Sequence, residues 1–312
     1  MTFKHLNALG RQRKPFLFIS DFLAQNIEVI PLDELDKHDI QVCIDENYVY
    51  KKHDKTFEKT NLDFDSYKEK FDYVIESIKS GDTYLLNLTA PTKIKCDLTL
   101  KEIYNYANAN YKLRYKDKFV CFSPEKFVRI KESKIHTYPM KGTIDASISN
   151  AEIKILHDEK EMAEHTMVVD LLRNDLSIVA TNIRVEEFRY IQKIDSGEKE
   201  LLQVSSHISG DIGSDWHERI GDILSPLLPA GSISGTPKKS TLEIIKNVEG
   251  YERGYFTGVF GVYDGESFDS GVMIRYVEKT ENGYLYKSGG GITLDSDSRL
   301  EYNELADKVY LP

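Results

Sequence analysis

Cysteine is scarce in this chain of 312 residues, with three in all. Cys43, Cys96 and Cys121 lie far apart in sequence. An odd, widely spaced set provides neither a disulfide framework nor a zinc site. Pro/Ser-rich tracts, low-complexity segments, repeats and long charge blocks are also missing, so nothing marks a linker between modules. No apolar run approaches the length of a membrane span. The basic stretch Arg11–Lys14 is followed only by the short apolar run Phe16–Ile19, too little for a signal-peptide core. A reduced, cytoplasmic protein with no membrane association is the expectation. Positive charge is in deficit, 41 Lys and Arg against 51 Asp and Glu, a net charge of −10. Such a chain should repel nucleic acid as a whole, because phosphate neutralisation needs a basic face. An anionic ligand must then be held by a local cluster of positive groups or by a metal.

What the chain does have is an ordinary soluble composition, 40% hydrophobic and 29% charged, with 19 Tyr and 14 Phe that favour a sheet-rich interior. A single domain of this length buries about 75% of its unfolded surface and needs no staples. Short strands are expected at Pro15–Asp21, Glu28–Leu32 and Ile40–Val49. A helix capped by Asp65 or Ser66 carries the stripe Phe71, Ile75, Ile78 and stops at Gly81. Strand patterns follow at Tyr84–Thr89, Phe119–Phe122, Lys126–Ile130 and Lys134–Tyr138. A long helix is expected over Ala151–Leu172, then strands at Ile183–Ile191 and Leu201–Ile208. A helix opened by Thr236 or Pro237 runs to about Val248, closed by Gly250. Further strands are expected at Phe256–Tyr263, Ser270–Val277 and Gly283–Lys287, and a last helix at Arg299–Lys308. Runs of strands punctuated by a few long helices indicate an α+β fold, antiparallel sheets flanked by helices, in one domain.

Two helices carry acidic pairs. Glu161 and Glu164 are three residues apart and share a face with His165 and Val168; Glu301, Glu304 and Lys308 repeat the spacing in the last helix. Two such pairs aimed at one place suit Mg²⁺, which takes a few carboxylates and keeps several waters. A solvated acidic face is the commoner meaning of a Glu pair. Pro229-Ala-Gly-Ser-Ile-Ser-Gly235-Thr-Pro-Lys238 places small residues just before a helix, an anion seat or a structural turn. Gly289-Gly290-Gly291, placed between a strand and a turn, allows close approach to the backbone. Neither loop has Walker or dinucleotide spacing. Isolated candidates are Glu125 between two strands, where burial suits an acid, Lys141 in Pro139-Met-Lys141-Gly142-Thr143, His207 and Arg275. Residue chemistry alone leads to an α+β enzyme, Mg²⁺-dependent, acting on an anionic ligand.

Taken in order, Lys160-Glu161-Met-Ala-Glu164-His165…Val169-Asp-Leu171…Arg173-Asn-Asp175, Pro229-Ala-Gly231…Ser234-Gly235…Pro237-Lys238, Arg253-Gly254…Gly258 and Gly290-Gly291-Ile292…Glu301-Tyr302…Glu304 resemble the chorismate-utilising enzymes. The resemblance runs from about Ser66 to Lys308, with residues 1–60 similar to a shortened form of that family's variable region. It implies two packed antiparallel sheets with helices outside. It implies Mg²⁺ on Glu164 and Glu304, with Glu161 and Glu301 holding its waters, and Glu125 as general acid. Arg275 and Lys308 would grip carboxylates, Ser232, Thr143, Gly290 and Gly291 would contact substrate, and His207 would sit beside the leaving oxygen. Within the family, Lys141-Gly-Thr143 resembles the aminodeoxychorismate synthases of folate and 4-aminobenzoate biosynthesis, in which this lysine attacks C2 before ammonia enters at C4. Anthranilate synthases have alanine there, and Leu85 stands where water-adding relatives have a lysine base. A separate glutamine amidotransferase subunit would supply the ammonia. No fused lyase and no tryptophan inhibition are expected. The family's Arg-Gly-x-Tyr is here Arg253-Gly254-Tyr255-Phe256, which loses a carboxylate-binding phenol unless Tyr255 substitutes.

Overall fold

A computed structural model describes residues 2–44, 57–195 and 200–311. Its strands form two antiparallel sheets, of nine and eight strands among the described residues. The first runs Met140–Asp145, Glu200–Asp211, Lys134–Thr137, Lys126–Lys131, Phe268–Val272, Val259–Tyr263, Phe16–Ser20, Ile27–Pro31, with Thr181–Asp195 paired to Glu200–Asp211. The second runs Gly235–Thr236, Leu85–Lys95, Gly283–Ile292, Tyr276–Thr280, Phe119–Ser123, Tyr111–Tyr115, Ile40–Ile44, with Glu58–Thr60 on Leu85–Lys95.

Strand alternation explains the layering. In Phe16–Ser20 every residue is buried. Phe16 and Phe18 belong to the largest apolar cluster, shared with the helices Phe64–Lys79, Glu159–Ser177, Ile220–Leu227 and Lys238–Glu249. Leu17 and Ile19 point the other way and meet Leu113, Phe119, Cys121 and Tyr276 of the second sheet. Phe119–Ser123 repeats the pattern, giving Val120 and Phe122 to a third cluster beneath helix Leu100–Tyr106. The two sheets are thus packed together with helices outside.

Several expected elements have different bounds. The stretch read as one helix from Ala151 is two, Ala151–His157 and Glu159–Ser177. Asp158 lies between them with its carboxylate accepting from Glu161 N, so a new helix starts there. Asp63, not Asp65 or Ser66, caps Phe64–Lys79. The stretch Ser270–Val277 is broken: Phe268–Val272 ends in the first sheet and Tyr276–Thr280 begins in the second, with Arg275 between them at a φ of 50°. The triple glycine lies inside strand Gly283–Ile292, paired with Asn87, Leu88 and Thr89, rather than beyond a strand end. Ile40–Ile44 is a strand; the rest of the stretch expected to Val49 lies outside the described residues. Helices Phe3–Arg11, Leu100–Tyr106 and Ile220–Leu227 and strand Tyr111–Tyr115 were not expected. Thr99 and Glu102 form a full capping box on the second of these helices, a signature legible in the letters alone. No helix among the described residues is long and apolar enough to cross a membrane.

Candidate active site

Two of the passages the chain makes between the sheets meet side by side. Pro124 and Glu125 lead from Phe119–Ser123 in the second sheet to Lys126–Lys131 in the first; residues 273–275 make the opposite passage. Val272 N donates to Glu125 O, and Phe122 N donates to Arg275 O, at 3.0 and 3.1 Å. The crossings therefore hold a carboxyl and a guanidinium against one cavity of about 270 Å³, just below the usual size of small-molecule sites. Its lining brings together Glu125, Lys141, Thr143, Ser232, Arg275, Gly290, Gly291, Glu304 and Lys308 from distant parts of the sequence.

Lys141 reaches this cavity because its strand is bulged. The pairing of Met140–Asp145 with Glu200–Asp211 shifts between Met140 and Thr143, and Gly142 takes a φ of 83°. A bulge re-aims side chains that strict alternation would send elsewhere. Lys141 Nζ lies 2.9 Å from Glu164 Oε2. Burial pulls its pKa down, but Glu164, then Glu304 and Glu161, outweigh that and the net movement is upward. The resting side chain is therefore an ammonium held by Glu164.

Glu125 is opposite in character. Enclosure in the protein raises its pKa, against the pull of the Ser232 hydrogen bond and of Arg275, Lys308 and Lys141. Ser232 Oγ lies 2.7 Å from Glu125 Oε1. A carboxyl moved toward its protonated form beside three cations is equipped to donate a proton.

The glycines make room. A methyl group on Gly290 would meet Glu301 Oε2 at 3.3 Å and Lys308 Nζ at 3.8 Å; one on Gly291 would meet Leu85 Cδ1 at 3.3 Å and Lys141 Nζ at 3.7 Å. Lys308 Nζ donates to Gly289 O at 2.9 Å and pairs with Glu304, tying the last helix, Ser298–Asp307, to this strand.

Of the four glutamates expected at a metal, Glu304 lines the cavity, while Glu164 touches its lining through Lys141, Glu161 lies beside Gly142 and Glu301 beside Gly290. Burial and then the neighbouring Glu164 raise Glu161. Burial also raises Glu301, with Glu304 and Glu164 adding to it against the hydrogen bond from Ser296. Burial pushes Glu304 up as well, but Lys308, Lys141 and Lys160 together bring it below the usual range. Carboxylates from two helices thus repel one another across the opening, and the donors are all hard oxygens, the kind Mg²⁺ takes. Here Lys141 and Lys160 pair with Glu164, and Lys308 pairs with Glu304. No three His, Cys, Asp or Glu side chains among the described residues sit close enough to hold a metal in this arrangement. The residues fit the cation in kind, and ligation requires the lysines to give way.

One expectation fails on position. His207 does not line the cavity. Its ring stacks on Tyr138 at 4.7 Å, and its Nε2 lies 3.0 Å from His136 Nδ1, behind the cavity wall. Gln203, four residues earlier on that strand and opposite Thr143, lines the cavity instead. Tyr255 does not replace the missing phenol, because its hydroxyl donates to Glu28 Oε1 at 3.1 Å while Phe256 faces the cavity. Asn87 and Gln203 escaped the sequence reading. A lone amide within the apolar run Leu85-Leu86-Asn87-Leu88 was the available signal for the first, and nothing distinguished the second.

A buried ion pair holds the walls. Arg253 Nη2 donates to Asn87 O at 2.6 Å and to Glu249 Oε1 at 2.7 Å, and Nη1 donates to Ile233 O at 3.0 Å and to Thr257 Oγ1 at 3.2 Å. Asn87, Ile233 and Thr257 all line the cavity.

Comparison with known proteins agrees with this architecture. An uncharacterised PabA-like protein of Pasteurella multocida is 45% identical over 98% of this chain and 96% of its own length. Aminodeoxychorismate synthase component 1 of Bacillus subtilis is 30% identical, over 79% of this chain and 54% of that protein. Anthranilate synthase component 1 of Aquifex aeolicus is also 30% identical, over 78% of this chain and 52% of that protein. This chain spans about half of each of these two synthase components. Among solved structures, the menaquinone-specific isochorismate synthase of Escherichia coli superposes with a TM-score of 0.74 over 98% of this chain and 79% of that one, at 14% identity, a likeness of fold alone. The profile of chorismate binding enzymes matches residues 28–311, and the chain belongs to that family.

Proposed function

We propose that this protein is the chorismate-aminating component of a 4-amino-4-deoxychorismate synthase, dependent on Mg²⁺. The observation that carries this reading is Lys141, an amine inside the cavity that also holds a carboxyl of raised pKa, Glu125. Arg275, with Nε buried and unpartnered, and Lys308 supply positive charge for a dianion in an acidic protein.

Lys141 parts from Glu164, loses its proton and attacks C2 of chorismate through Nζ. The ring double bond shifts, the C4–O bond breaks, and the hydroxyl leaves as water with the proton of Glu125. Ammonia then attacks C4, the double bond returns, and the C2–N bond to Lys141 breaks, restoring the free amine. The sum is chorismate and ammonia to 4-amino-4-deoxychorismate and water. Mg²⁺, when bound, neutralises the ring carboxylate; Glu164 and Glu304 would hold it, with Glu161 and Glu301 holding its waters. A glutamine amidotransferase subunit is the proposed source of ammonia, with free ammonium sufficient in vitro.

The test is incubation with chorismate, Mg²⁺ and ammonium, with products separated and identified by mass. A Mg²⁺-dependent product that aminodeoxychorismate lyase converts to 4-aminobenzoate is expected. Fluorescent anthranilate instead would assign the anthranilate synthase reaction, and chorismate binding without turnover would make the chain a silent relative.

A further inference from the structure

A second hollow lies beside the cavity, a groove of about 810 Å³ along an adjacent face of helix Glu159–Ser177. Val168 and Leu172 of that helix line the cavity, while Val169 and Leu171 line the groove. Leu85 stands between the two. It lines the groove together with Thr236, its partner in the neighbouring strand. On the cavity side, a methyl group on Gly291 would meet Leu85 Cδ1 at 3.3 Å and Lys141 Nζ at 3.7 Å. Gly291 lines the cavity, and so does Asn87, which shares a face of strand Leu85–Lys95 with Leu85. One leucine side chain therefore separates the groove from the space in front of Lys141.

The two hollows differ in charge. Glu304 lines the cavity, and Glu164, Glu161 and Glu301 lie against its lining. Carboxylates favour ammonium, which has no lone pair and cannot attack carbon. The groove is apolar at its mouth, where Tyr84, Met167, Val185 and Phe188 are exposed. Its charged members, Asp170 and Arg173, pair with each other at 3.2 Å. An apolar constriction passes neutral ammonia and turns back ammonium, which would have to shed its water to enter. A cavity of about 270 Å³ also leaves little space beside a bound chorismate, so the second reactant needs an approach of its own. We propose that the groove is the inlet for ammonia and that Leu85 is its gate, an assignment that rests on the amination reading above. A rotamer change of this one side chain joins the two spaces. Ammonia then arrives beside Lys141 while the lysine is bonded to C2, and C4 lies two bonds away in the same ring.

The experiment is steady-state kinetics with ammonium and chorismate varied separately, for the wild-type chain, Leu85→Trp, Leu85→Ala and Met167→Arg. Leu85→Trp fills the passage and should raise the KM for ammonium about tenfold or more, with the chorismate KM within about threefold. Met167→Arg places bulk and positive charge at the groove's mouth, at an exposed position outside the cavity lining. It should raise the ammonium KM about threefold or more and leave the chorismate KM alone. Leu85→Ala widens the passage and should let methylamine replace ammonia better than in the wild-type chain, giving a product heavier by one methylene. A merely structural role for Leu85 would not produce that gain, and Met167→Arg keeps the test open if Leu85→Trp fails to fold. An unchanged ammonium KM in Met167→Arg, or no gain of methylamine use in Leu85→Ala, would overturn the inlet while leaving amination intact. Absence of amination by the wild-type chain would instead bring down the reaction and the inlet with it.

Discussion

Lys141 and Glu125 face the same space with opposite electrostatic histories. Glu164 holds the lysine as an ammonium, while enclosure moves the carboxyl toward its acid form. Lys141→Ala should lower C4 amination at least about a hundredfold, the scale on which nucleophiles and proton donors act, in the chorismate assay. Glu125→Gln should lower kcat comparably yet leave the chain as stable as the parent or more so in thermal unfolding near pH 8. The sign follows from the raised pKa: Glu125 contributes stability at low pH, and that contribution is lost as pH rises through its folded value. Both residues were legible in sequence because each stands beside a Gly or Pro break in a strand pattern. His207 was misread for a physical reason. A histidine four residues from a cavity-lining position on the same strand looks the same in letters whether it meets substrate or, as here, a tyrosine and another histidine.

Helix Glu159–Ser177 carries Glu161 and Glu164 and depends on its cap. Asp158→Ala removes the bond to Glu161 N and should cost about 1 kcal/mol in denaturant unfolding, with activity falling further than stability alone accounts for. The same helix buries His165 fully, its Nε2 2.7 Å from Ser206 Oγ. Burial, with Arg189 and Lys141 adding to it, lowers His165 from 6.5 to about 4. Its neutral form then contributes about 3 kcal/mol at most, fully present above pH 6.5 and lost as pH falls toward 4. Isothermal unfolding from pH 7 to 4 should show that decline, and His165→Asn should flatten it. The helix was legible from its apolar spacing, but its start was not, because Asp158 reads as one more acidic residue in a charged run. The break at residues 273–275 was hidden likewise. Val272-Met-Ile is as apolar as any strand interior, and only pairing partners in two different sheets interrupt it.

At the scale of the whole molecule, the cavity exists because two sheets exchange chain at Glu125 and Arg275, and because Arg253 ties three of its walls together. Two packed antiparallel sheets with outer helices followed from strand density and motif order. Which residues close the cavity did not, since Asn87 and Gln203 come from strands far apart in sequence and in different sheets, and only the packing of the two sheets puts both on its wall. The proposed chemistry makes one covalent demand on the molecule, a bond between Lys141 Nζ and C2 once water has left. The most direct measurement is the intact-protein mass after incubation with chorismate and Mg²⁺ in the absence of ammonia, followed by peptide mapping. The expected result is a gain equal to chorismate less one water, located on Lys141 and discharged when ammonium is added. An unmodified mass from protein that turns over chorismate once ammonium is supplied, with Lys141→Ala equally active, would contradict it.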